Sequence, residues 1–150
     1  MKTTRLERFY IAIIAVIFAG IVLHAPLSVG FGVLFPDYAL LIKSWKELLM
    51  IILIPMAVTI IIRRGLWTEI SRDWIFRIIV AYVAVHIVLV LVLYQGINAT
   101  LAGLAIDLRY IAFFSLVYIG LRAVPGCRRL MLTIALAGAF IVVGFATLQF

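Results

Sequence analysis

Ile78-Ile-Val-Ala-Tyr-Val-Ala-Val-His-Ile-Val-Leu-Val-Leu-Val-Leu-Tyr94 is an apolar run broken by a single imidazole, His86. At about 1.5 Å per residue, a helix of this length comes close to the ~30 Å of hydrocarbon in a bilayer. The run does not alternate with polar residues as a half-buried strand would. Backbone groups facing lipid must be satisfied within their own segment, so the run is predicted to be a membrane-crossing helix.

Working outward, comparable runs recur along the chain. Upstream, Phe9–Leu23 and the segment from Ser44 to Ile62 have the same character; downstream, Leu101–Leu121 and Leu130–Leu148 do. Hydrophobic residues make up 67% of the 150 residues and charged ones only 13%, proportions that leave too little polar surface for a water-soluble domain of this size. The expected fold is an all-α helical bundle of about five transmembrane helices, forming one transmembrane domain over residues 1–150.

The gaps between runs carry the punctuation. Pro26, Gly30, Gly32 and Pro36 predict an irregular or re-entrant stretch after the first span, surfacing near Asp37. Ser44-Trp-Lys-Glu47 has the form of a capping box and predicts the start of the second helix, with a kink at Pro55. Arg63-Arg-Gly65 ends that helix, and Trp67 and Trp74 suit the bilayer interface. Gln95-Gly-Ile-Asn98 and Pro125-Gly126 are turns. The first run follows a basic stretch but lacks a signal-peptide cleavage region, since Leu23-His-Ala25 has no small residue at its first position. It is read as an uncleaved helix.

Charge sets the orientation. With five crossings, Lys2, Arg5, Arg8, Arg63, Arg64, Arg72, Arg77, Arg122, Arg128 and Arg129 fall on one side, and only Lys43, Lys46 and Arg109 on the other. Ten of the 13 basic residues on one side is the positive-inside pattern, and it predicts a cytoplasmic N-terminus and an external C-terminus. A four-span arrangement would divide the same residues seven to six and lose the bias. The net charge of +7 is thereby a topology signal, and no nucleic-acid partner is expected. The single cysteine, Cys127, lies in the basic turn and can form no internal disulfide.

The charges inside the fourth run are the main functional candidates. With a helix beginning near Thr100, Asp107 and Arg109 lie about 10 Å below the outer surface, a depth at which ionised groups are costly and mark pathways or binding sites. Two residues apart, they do not face each other, so their partners must come from elsewhere: Lys46, Glu47 or a bound anion. Alternatively, 101–106 lies along the interface and Arg109 snorkels to lipid phosphate. Lys43, Lys46 and His24 fall on the same side as Arg109, a cationic set suited to a lipid-linked phosphate or diphosphate. The tentative substrate-binding residues are therefore Arg109, Asp107, Lys46 and Lys43. His86 reads as a hydrogen-bonding group toward a neighbouring helix. No metal-ligand spacing, phosphate loop, nucleophile elbow or nucleotide fingerprint occurs, so no cofactor and no metal are expected. Asn98-Ala-Thr100 matches a glycosylation acceptor and is taken as fortuitous.

Three pieces carry a resemblance: Tyr38-Ala-Leu-Leu-Ile-Lys-Ser-Trp-Lys-Glu-Leu-Leu49, Asp107-Leu-Arg-Tyr110 and Gly144-Phe-Ala-Thr-Leu-Gln-Phe150. In this order they resemble the N-terminal part of bacterial O-antigen ligases and polymerases, inner-membrane glycosyltransferase-type enzymes of polysaccharide biosynthesis. The resemblance covers this whole chain but about the first third of a typical member. It implies handling of an undecaprenyl-diphosphate-linked glycan at the periplasmic face, and a chain that continues beyond Phe150. The arginines and histidine credited with chemistry in that family lie in a large periplasmic loop and later helices with no counterpart here, so no catalytic residue is assigned. The other expectation is a small non-enzymatic inner-membrane protein, such as a transporter subunit, immunity protein or assembly partner, associated with other membrane subunits.

Overall fold

The computed structural model describes residues 3–94 and 96–148, with the side chains of all of these except residues 25–27, 39, 40 and 43. Among the described residues six α-helices follow in order: α1 Arg5–Leu34, α2 Ala39–Arg64, α3 Trp67–Arg72, α4 Trp74–Val92, α5 Ile97–Ala123 and α6 Cys127–Leu148, with one 3₁₀ turn, Pro36–Tyr38, between α1 and α2. All but the short α3 contain a segment long and apolar enough to cross a membrane. The protein is a multi-pass helical bundle, as its apolar runs require.

Helix α1 is the hub. It packs against α2, α5 and α6, while α2 also packs on α5; the long-helix neighbour of α4 is α5. Tyr10, Ile14 and Ile17 of α1 are buried at helical spacing, and Leu53, Ala57 and Ile60 of α2 repeat that spacing to meet them. Leu116 and Ala123 of α5 and Cys127 and Met131 of α6 complete the core. Outside this seam the surface is almost wholly apolar, and α4 has no buried residue at all. Hydrocarbon is its solvent, so the core needs only close packing, helped by small residues at crossings. An added Cβ at Gly20 would lie 2.4 Å from the Trp45 ring, at Gly138 2.8 Å from Val22, and at Gly120 3.0 Å from Ile11.

Two expectations at the first hairpin are corrected. The stretch after Leu23 is neither irregular nor re-entrant, because α1 continues through Pro26, Gly30 and Gly32 to Leu34. Proline forfeits one backbone hydrogen bond, whereas unwound chain in an apolar setting would leave several groups unsatisfied. Nor does Ser44 start a helix. Helix α2 begins at Ala39 after Tyr38, which gives no side-chain cap. Five residues in, the amides around Ser44 already have carbonyl partners in the preceding turn. The capping box is instead at the beginning of α1, where Thr4 accepts from the Glu7 amide at 3.3 Å and Glu7 accepts from the Thr4 amide at 2.9 Å. Pro55 sits inside α2 without ending it, and Gly65, at φ 63°, closes that helix in the left-handed conformation. The fourth run, ambiguous in sequence, is one continuous 27-residue helix.

Candidate membrane-embedded binding pocket

The charged residues collect at two ends of the bundle. At the end where α1 begins, every acid has a close partner. Glu7 is buried and receives two hydrogen bonds from Arg64 of α2, at 2.5 and 2.7 Å. Next to it, the Tyr10 hydroxyl donates to the Leu116 carbonyl at 2.7 Å, tying α1 to α5. Asp73 caps α4 by accepting from the Ile75 amide, and its other oxygen accepts from the Tyr118 hydroxyl at 2.6 Å and from Arg122. Arg122 also reaches Glu69 at 3.2 Å. This network joins the short α3 and the start of α4 to the end of α5.

Toward the other end, α1, α2 and α5 enclose a pocket of about 220 Å³. Its floor is apolar, from Ile17, Ile21, Met50 and Phe113; its polar groups are His24 of α1, Lys46 and Glu47 of α2, and Arg109 and Tyr110 of α5. The pairing here is incomplete. The nearest Arg109 nitrogen stands 3.9 Å from Glu47, too far for a hydrogen bond. Arg109 donates to the Tyr110 hydroxyl at 2.9 Å and lies 4.7 Å over that ring, yet its Nε is buried with no partner among the described residues. The facing Oε2 of Glu47 is in the same condition. Two opposite charges thus look at each other across a gap, each with hydrogen-bonding capacity unspent. On the α1 wall, His24 Nδ1 is 3.1 Å from the Ser28 hydroxyl. Trp45 lies across Gly20 beside the pocket, fixing the register in which Lys46 and Glu47 face it.

Of the residues singled out in sequence, Arg109 and Lys46 meet in this pocket together with His24. Glu47, one of the partners expected, is the acid that Arg109 approaches, at 3.9 Å. Lys43 lies in α2, and its side chain is outside the described residues. Asp107 is elsewhere: it lines a separate cleft of about 260 Å³ between α4 and α5, with His86. Residues two apart on a helix are about 200° apart around its axis, so Asp107 and Arg109 open on different sides of α5. Among the described residues His86 makes no hydrogen bond to a neighbouring helix; its Nδ1 is 2.9 Å from the Tyr82 carbonyl of its own helix. Sequence reasoning missed Glu7. The Thr4-x-x-Glu7 spacing ahead of an apolar run was the available signal for its cap, but no local pattern announced Arg64, 57 residues away.

No protein-family model matches the chain, and no curated protein or solved structure is significantly similar to it.

Proposed function

We propose that this chain is part of a bacterial inner-membrane machine that handles a lipid-linked diphosphate, the polyprenyl carrier of a glycan, and that the pocket between α1, α2 and α5 holds the diphosphate. The observation that carries the proposal is the unsatisfied Arg109–Glu47 pair in a partly enclosed, cation-lined cavity. A guanidinium with unspent donors at membrane depth is a costly arrangement unless an anion completes it. Lys46 adds a second positive charge and Tyr110 a hydroxyl, while the apolar floor suits the first isoprene units of the carrier. The resemblance to O-antigen ligases and polymerases, and the sparse basic residues at this end, support a periplasmic location. No residue of the pocket is assigned to breaking or forming a glycosidic bond; the proposed role is binding and positioning.

The test uses the chain in nanodiscs with Trp67 and Trp74 changed to Phe, leaving Trp45 as reporter beside the pocket. Undecaprenyl diphosphate should quench or shift its fluorescence saturably and undecaprenol should not. Arg109→Gln should weaken the response about tenfold. Equal responses to diphosphate and alcohol, or a response unaffected by Arg109→Gln, would overturn the proposal.

A further inference from the structure

The cleft between α4 and α5 is a second polar site, independent of the pocket above. It lies between two of the apolar spanning helices, and its polar groups are His86, Thr100 and Asp107. Asp107 stands ten residues into α5, about 15 Å along the axis, which is deeper than a helix starting at Thr100 would have put it. His86 lies six residues, about 9 Å, from the near end of α4, the end that adjoins the start of α5. Asp107 is exposed and makes no hydrogen bond or ion pair with any described residue. Ionisable groups at such depth normally face a partner.

The chemistry of the missing partner follows from what the cleft offers. The Tyr82 carbonyl can only accept, so His86 Nδ1 donates to it within α4. The unpartnered carboxyl group of Asp107 is then the cleft's charged group, and a carboxylate calls for a cationic donor. Its shape calls for a helix. Ala99, Gly103 and Asp107 form one ridge of α5 at four-residue spacing, the small-residue arrangement along which membrane helices approach closely. Nothing within 4 Å would meet a Cβ added at Gly103, so there is open space over this ridge at that point. Helix α4, which forms the other wall, buries none of its residues. A second copy presents no cation from this face, because Arg109 and Lys46 both line the pocket between α1, α2 and α5 and not the α4–α5 cleft.

We infer that the α4–α5 cleft is the docking site for a further transmembrane helix that carries a lysine or arginine near its middle. Gly103 admits the helix backbone, Asp107 pairs with its cation, and the Thr100 hydroxyl takes up a remaining donor.

The probe is a polyleucine transmembrane peptide with one central lysine, compared with peptides carrying leucine or glutamate there. Energy transfer from the labelled chain in phosphatidylcholine vesicles reports association. The lysine peptide should bind about tenfold more tightly than the leucine peptide, and the glutamate peptide no better than leucine. Asp107→Asn should remove the lysine preference. Gly103→Leu, which fills open space and leaves the fold intact by thermal unfolding, should reduce association of the lysine peptide. Equal binding of the lysine and leucine peptides, or a preference that survives Asp107→Asn, would overturn the inference. So would energy transfer between two copies of the chain that is abolished by the same substitutions, since the face would then belong to a dimer.

Discussion

Helix α2 makes a charged contact with α1 near one end and with α5 toward the other, and the two contacts are built differently. Where α1 begins, Glu7 and Arg64 are nearly sealed from the surroundings, at 3% and 12% side-chain exposure, and joined by two short hydrogen bonds. Toward the other end, Glu47 and Arg109 are about one-third exposed, 3.9 Å apart, and each holds a buried atom without a partner. Both are Glu–Arg pairs in the same helix packing. A saturated pair leaves nothing for a ligand, and removing one member strands a buried charge. An unsaturated pair contributes little to folding and keeps its donors for something else. The contrast distinguishes structural charge from binding charge more clearly than burial or residue type would.

The most direct way to break the comparison is to truncate the acid at each end. Glu7→Ala strands Arg64 and uncaps α1, and should lower the thermal unfolding midpoint in detergent by roughly 10 °C or prevent recovery of folded protein. Glu47→Ala should shift that midpoint by no more than about 2 °C while altering diphosphate binding. Equal destabilisation at both sites would erase the distinction.

A smaller effect is expected where packing sets the open end's geometry. Gly20→Ala pushes a Cβ into the Trp45 ring and should cost about 1–3 kcal/mol, measured by chemical unfolding in mixed micelles. It should also weaken diphosphate binding, because Lys46 and Glu47 move with Trp45. Wild-type affinity in this variant would show that the α1–α2 contact does not position the pocket.

The smallest effect belongs to pH. Hydrogen bonds from the Tyr118 hydroxyl first, then from the Ile75 amide, together with the nearby Arg122, hold the Asp73 carboxyl below the usual carboxylate range. A carboxyl depressed in the folded state stabilises above its unfolded pKa, about 3.9, and the contribution is lost as pH falls through the lower folded value. The unfolding midpoint should therefore be flat from pH 7 to about 5 and decline below about 4. Asp73→Asn should flatten the acid limb, and an unchanged limb would assign it to other groups.

Much of the fold was legible because hydrocarbon tolerates so few alternatives. Run length and composition alone imply the five crossings and their helical form. The end of α2 at Gly65 was readable from turn chemistry; for Arg109 the sequence indicated only that a charge at that depth needs a partner, leaving Lys46, Glu47 and a bound anion open. Local spacing misled at Ser44, since a capping box has meaning only where amides are free. The proline and glycines after Leu23 misled as well, because breaking a helix costs more backbone hydrogen bonds in lipid than keeping it.

Sequence by itself determined that these residues form membrane helices, and it marked Asp107 and Arg109 as charges in need of partners. Tertiary structure decided which partners they have. Arg109 meets Glu47 and Lys46 from α2 and His24 from α1, while Asp107 shares the α4–α5 cleft with His86. It also decided that Glu7 is matched by Arg64 across 57 residues of chain. Hydropathy records only the exchange of water for lipid along each segment. The pairing of charges depends on rotation and depth of one helix against another, and those are set by contacts such as Trp45 on Gly20, between residues far apart in the chain.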